Sequence, residues 1–242
     1  MGTLNIIKNL KKIVFMLGIA ICIISSNSFG QVSLLPYSNV AATVNTCDDC
    51  YQQVNITGVF SSGINFGGTI YNDMYIGSNG YVTFGHGNTG YSPLGIAGYI
   101  TGPIIAGQYD DLDVIKGGTI YYDENAGSGY IVVTFNNVAP FSSPPVYGSG
   151  GTTFQIVLRK LGTYSAATPD FQIEVRYNNI GWWQSGNVGS PPTAGWSTGT
   201  GTTYGEMPYS GSTSFGSNQT SSNVGTNGLY QWDVTGGSVL SA

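Results

Sequence analysis

Charged residues are scarce in this sequence: 8% of 242 positions, seven basic and twelve acidic. Nucleic-acid binding needs clustered Lys and Arg to meet phosphates, so that class is excluded. A helical protein would need far more Lys, Glu and Arg, so an all-helical fold is excluded as well. Histidine occurs once and cysteine three times. What is present is 37 glycines, 13% aromatic residues and 41% hydrophobic residues, which a disordered acidic tail would lack. The combination predicts an extracellular all-β protein with one core.

The N-terminus reads as a secretory signal peptide over residues 1–30. Lys8, Lys11 and Lys12 form a basic start, residues 13–24 an apolar run, and Ser28-Phe29-Gly30 a small-residue cleavage site before Gln31. The run is too short to span a bilayer comfortably, and no second stretch of membrane length follows. An anchor helix is the competing reading. Cys22 hints at a lipoprotein, but Ile21 is larger than the small residue that such processing prefers. After cleavage, Lys116, Arg159, Lys160 and Arg176 face twelve acidic residues, a formal charge of −8. Two cysteines then remain, in Cys47-Asp48-Asp49-Cys50. In an oxidising compartment they predict a local disulfide. A thioredoxin-like motif would need a βαβ context, and two cysteines alone cannot complete a zinc site.

Short alternating or apolar runs between Gly, Asn and Ser clusters predict an antiparallel β-sandwich-like domain over residues 54–242. An N-terminal segment, 31–53, precedes it. Strands are expected at 54–60, 69–76, 81–84, 119–122, 130–135, 154–159, 171–177 and 229–234. Ser78-Asn79-Gly80 signals a tight turn. Ile131, Val132 and Val133 suit a strand buried on both faces. In 171–177, Gln172, Glu174 and Arg176 are expected on a half-exposed face. Residues 186–228 predict long Gly/Ser/Thr-rich surface loops pinned by Trp196, Tyr204, Met207, Tyr209 and Phe215.

Catalytic patterns are weak. Gly195-Trp196-Ser197-Thr198-Gly199 matches a hydrolase nucleophile elbow, but lacks the strand before and the helix after that expose such a serine. His86 precedes the serine, against the order of that fold, and a lone histidine in a polar loop is usually solvated. Glu124, Glu174 and Glu206 offer carboxylates for glycoside hydrolysis, with nothing to set two of them opposite each other. The expectation is a non-enzymatic protein. Asp110, Asp111 and Asp113 supply three carboxylates in four residues, a set suited to Ca²⁺. The competing reading is a strand end whose carboxylates accept backbone and hydroxyl hydrogen bonds. Trp182, Trp183, Trp196, Tyr204 and Tyr209 are candidate stacking surfaces for sugars or partners, or else half-buried loop anchors.

Several segments together resemble the nidogen-like extracellular domain. They are Ile76-Gly77-Ser78-Asn79-Gly80-Tyr81-Val82-Thr83-Phe84; Ile105-Ala106 through Tyr109-Asp110-Asp111-Leu112-Asp113; Gly118-Thr119-Ile120-Tyr121-Tyr122; and Thr153-Phe154-Gln155-Ile156-Val157-Leu158. Tyr177, Ile180 and Trp182, then Ala194-Gly195-Trp196-Ser197-Thr198-Gly199, complete the series. The likeness spans roughly residues 54–235. Gly107 and Gln108 depart from it, standing where the family prefers Pro and Phe, and Asp110 stands where it often has Ala. Asp111 and Asp113 correspond to its acidic pair. The resemblance implies a secreted or cell-surface adhesion or matrix module with a protein or glycan partner. It also leaves room for self-association into fibres, because residues 31–46 are long enough to add a strand to a neighbour. Its alternatives are a segment packed on its own domain and a carbohydrate-binding module using the loop aromatics.

Overall fold

The computed structural model describes residues 30–38, 42–142 and 144–240. The expected signal peptide lies outside them, apart from Gly30. Among the described residues fifteen strands run in chain order: β1 (Tyr51–Asn55), β2 (Ile64–Phe66), β3 (Thr69–Tyr71), β4 (Asp73–Gly77), β5 (Tyr81–Thr83), β6 (Ile104–Tyr109), β7 (Leu112–Asp113), β8 (Thr119–Asn125), β9 (Tyr130–Pro140), β10 (Gly148–Lys160), β11 (Phe171–Trp182), β12 (Thr193–Ser197), β13 (Tyr204–Glu206), β14 (Leu229–Thr235) and β15 (Ser238–Leu240). They build two antiparallel sheets, ordered β1-β4-β5-β6-β12-β13 and β15-β14-β11-β10-β9-β7, with β8 also paired to β9 and a separate β2-β3 hairpin. The all-β, sandwich-like architecture is the one expected.

Alternation along the strands fills the space between the sheets. Ile76, Val82 and Ile105 come from one sheet, and Phe135, Phe154, Ile156, Val175 and Tyr177 from the other. Phe135 and Phe154 stack at 4.5 Å across β9 and β10. The β4–β5 turn needs Gly80: its φ is +85°, and a Cβ there would lie 1.9 Å from the Gln108 carbonyl oxygen.

The second sheet is buried on its outer face as well. Residues 31–38 cross it as an extended strap. Gln31 bridges Asn227, and Arg176 Nη1 donates to the Ser33 carbonyl at 3.0 Å. The Gln155 side-chain amide bonds both backbone groups of Leu35, at 2.8 and 2.9 Å, and Ser38 N donates to Asp123 at 2.8 Å. Leu35 packs on Tyr130, Val132 and Val157. The expected two-faced burial of Ile131–Val133 thus has a physical cause: the strap covers the side that the core does not.

Four expectations are corrected. The first strand spans Tyr51–Asn55 and not 54–60, because Asn55 Oδ1 accepts Thr57 N at 3.1 Å and the chain turns so that Phe60 N bonds the Ile56 carbonyl. The run 69–76 divides at Asn72 into β3, which pairs β2, and β4, which pairs β1. Glu174 is not on an open face but 1% exposed, held by Arg159 and Arg176 at 2.5 and 2.6 Å. Residues 186–228 are not all loop, for β12 is an interior strand buried at every position.

Candidate functional site

The acidic site is assembled around the disulfide between Cys47 and Cys50, which forms as expected. It closes a four-residue loop and holds Asp48 and Asp49 beside the β4–β5 turn. Cys50 N donates to Ser78 Oγ at 3.0 Å. Asn79 reaches both ways: its Nδ2 donates to Asp49 Oδ1 at 2.8 Å, and its Oδ1 accepts Leu112 N at 3.0 Å. Asp111, 2% exposed, enters from the β6–β7 connection and accepts Asn187 Nδ2 at 2.8 Å. One carboxylate oxygen each from Asp48, Asp49 and Asp111 then lies within 4.8 Å of the other two.

Burial and neighbouring negative charge raise two of these carboxyls, those of Asp48 and Asp111. Burial first, then the charges of Asp113, Asp49 and Asp111, push Asp48 up to about 6. Asp111 is also raised, chiefly by burial. Lys116 is the cation that opposes these shifts. It sits 3.7 Å from Asp113 Oδ2 and also donates to the Phe141 carbonyl. Asp48 Oδ1 is buried with no hydrogen-bond partner among the described residues. Calcium binds oxygen ligands at ~2.3–2.6 Å, so oxygens within 4.8 Å of each other are close enough to share one such ion.

Asp110, Asp111 and Asp113 do not converge on one another. Asp110 is fully buried, accepting Asp111 N at 2.7 Å and Ser185 N at 3.2 Å, and burial pushes its carboxyl up to about 7. Asp113 accepts Ile115 N at 2.8 Å. Asp111 alone joins a three-carboxylate group, and its companions come from the disulfide loop. Sequence reasoning took that loop as structural; the two aspartates between its cysteines were the available signal.

The aromatic candidates also separate. Trp182 is fully buried, with Nε1 donating to the Val138 carbonyl at 2.9 Å, and Trp196 is buried. Neither presents a ring face to a ligand. Tyr204 is 45% exposed on the edge strand β13, and Tyr209 and Trp183 are half-buried. Ser197 is buried at the end of β12 with its hydroxyl donating to the Tyr99 carbonyl at 3.3 Å. His86 bonds the Phe84 carbonyl at 3.1 Å and the Tyr99 hydroxyl at 2.8 Å. The G-x-S-x-G match is therefore a strand end, not a strand-to-helix elbow. Glu124, Glu174 and Glu206 bond Tyr122, the two arginines and Ala97 N respectively.

Among the described residues no helix is long and apolar enough to cross a membrane. No curated protein and no solved structure matches the chain significantly. The family model of the nidogen-like domain matches residues 126–236. That span opens in the β8–β9 loop and takes in β9 to β14, the centre of the second sheet together with β12 and β13. Across residues 126–236 the chain is similar to the nidogen-like domain, which is an extracellular module.

Proposed function

We propose that the chain is a secreted, non-enzymatic module that attaches cells to an extracellular matrix or to another surface. The observation that carries this reading is the nidogen-like match over β9–β14. The secretory leader in the sequence and the Cys47–Cys50 disulfide support it. The test is attachment of cells, and of soluble matrix proteins, to immobilised residues 31–242. Retention above that of a denatured control is expected, and equal retention opposes the reading.

Calcium belongs to the same proposal, at Asp48, Asp49 and Asp111, where the buried and partnerless Asp48 Oδ1 lies in a three-carboxylate group. A melt in EDTA and then in Ca²⁺ tests it. The midpoint is expected to rise with Ca²⁺, and Asp111→Asn to remove most of the rise; no change in the wild-type protein rejects the ion.

Fibre formation through residues 31–46 would require the strap to seat on a neighbouring copy instead of its own sheet. Light scattering of the chain with and without that segment decides. Oligomers that vanish with the segment support exchange, and monomers in both samples oppose it.

A further inference from the structure

Trp183 follows directly after β11 and is clamped in place. Its backbone N donates to the Tyr147 carbonyl at 3.2 Å, and its Nε1 to the Thr213 carbonyl at 2.9 Å. The Tyr147 ring runs parallel to it within 2°, at a centroid distance of 6.2 Å. On the other flank is the 3-10 turn Phe215–Thr220, itself tied to β11 by Gln219 Oε1, which accepts Ile180 N at 2.8 Å. A Cβ at Gly216 would lie 3.1 Å from the indole, so glycine lets the turn approach the ring. Beside this packed pair the surface opens into a cleft of about 410 Å³, lined by Trp183, Gly216, Ile180, Thr213, Ser214, Ser217 and Thr220.

The chemistry of this lining is specific. No charged residue contributes to it. Thr220 Oγ1 is spent on the Ser217 carbonyl, but the hydroxyls of Thr213, Ser214 and Ser217 make no hydrogen bond among the described residues. Because the indole N–H is already committed, the ring offers a ligand only its carbon surface. A fixed apolar ring and uncommitted hydroxyls lining one cleft match a pyranose, which has a C–H face and a rim of hydroxyl groups. Immobilising the ring within the fold also removes an ordering cost from binding.

We infer that the Trp183 cleft is a binding site for a neutral sugar residue. The inference rests on the adhesion reading and names the ligand class that such a module would hold at this cleft. The probes are cellobiose, maltose, lactose and N,N′-diacetylchitobiose, titrated against residues 31–242 by tryptophan fluorescence and calorimetry. Of the four tryptophans, Trp182, Trp196 and Trp232 are buried, so a saturable emission change reports Trp183. The expected result is saturation by at least one of these sugars. Calorimetric binding should be lost in Trp183→Ala and weakened roughly ten-fold in the double variant Ser214→Ala/Ser217→Ala. It should be unchanged in Tyr204→Ala. If Trp183→Ala does not fold, the serine double variant decides. No saturation by any of the four sugars, or affinity unchanged by loss of both serines, overturns the site. Attachment of cells that persists without sugar binding leaves the adhesion reading standing while this inference falls; absence of attachment alongside saturable sugar binding does the reverse.

Discussion

Gly107 and Gln108 show how single positions set this interior. A Cβ at residue 107 would lie 2.3 Å from the Phe154 ring, so only glycine lets β6 approach β10 there. Gln108, fully buried, donates to the Trp182 carbonyl at 3.0 Å and accepts Thr152 Oγ1 at 2.9 Å, joining the two sheets through a satisfied polar bridge. Gln108→Leu is expected to lower stability by about 1–3 kcal/mol, because Thr152 and the Trp182 carbonyl lose a partner; chemical denaturation measures it. Two aspartates, Asp110 buried and Asp48 partly buried, act through pH. The carboxyls of Asp48 and Asp110 stand at about 6 and 7, above the usual 3.8. Between these values the folded chain holds protons that the unfolded chain has released, so their contribution to stability falls as pH rises through that window. Without divalent ions the melting midpoint should therefore be higher at pH 5.5 than at pH 8, and Asp110→Asn should flatten that slope. The sequence displayed Asp110, Asp111 and Asp113 as one cluster but did not display their surroundings. Asn79, Asn187 and the disulfide loop, which sort them, are brought in by tertiary pairing.

Among the elements, the strap and β12 mark the two ends of legibility. Ile131, Val132 and Val133 signalled burial on both faces, and the strap supplies the cover that the sequence pattern required. β12 was hidden because it has neither alternation nor a long apolar run. Gly195 takes φ +141°, and a Cβ there would lie 2.1 Å from the Gly205 carbonyl oxygen. Glu174 was misplaced for a related reason. Period-two alternation assigns a side chain to a face, but not whether that face is covered. Replacing it by Ala leaves Arg159 and Arg176 without their shared carboxylate beneath the strap. A loss of about 1–3 kcal/mol is expected, moderated by the partial exposure of both arginines. A double-mutant cycle with Arg176→Ala would show coupling if the pair acts as described, and simple additivity if it does not.

For the whole molecule, the β class and the nidogen-like resemblance were readable in ordered short motifs, and the family match covers residues 126–236. The motifs before that span, Ile76–Phe84, Ile105–Asp113 and Gly118–Tyr122, occupy β4–β5, β6–β7 and β8, and β6 pairs β12 and β8 pairs β9 inside the matched span. The acidic site and the Trp183 cleft are both assembled from segments far apart in the chain, which is why spacing in the sequence did not reveal them. The proposed attachment role requires the chain to leave the cell and remain accessible there. The most direct measurement of the central claim is therefore the reach of an external, membrane-impermeant antibody to epitope-tagged full-length chain on intact producing cells. The account expects labelling at the cell surface or in the surrounding matrix, with the collected protein beginning at Gln31. Protein confined inside intact cells, with its leader uncut, contradicts it.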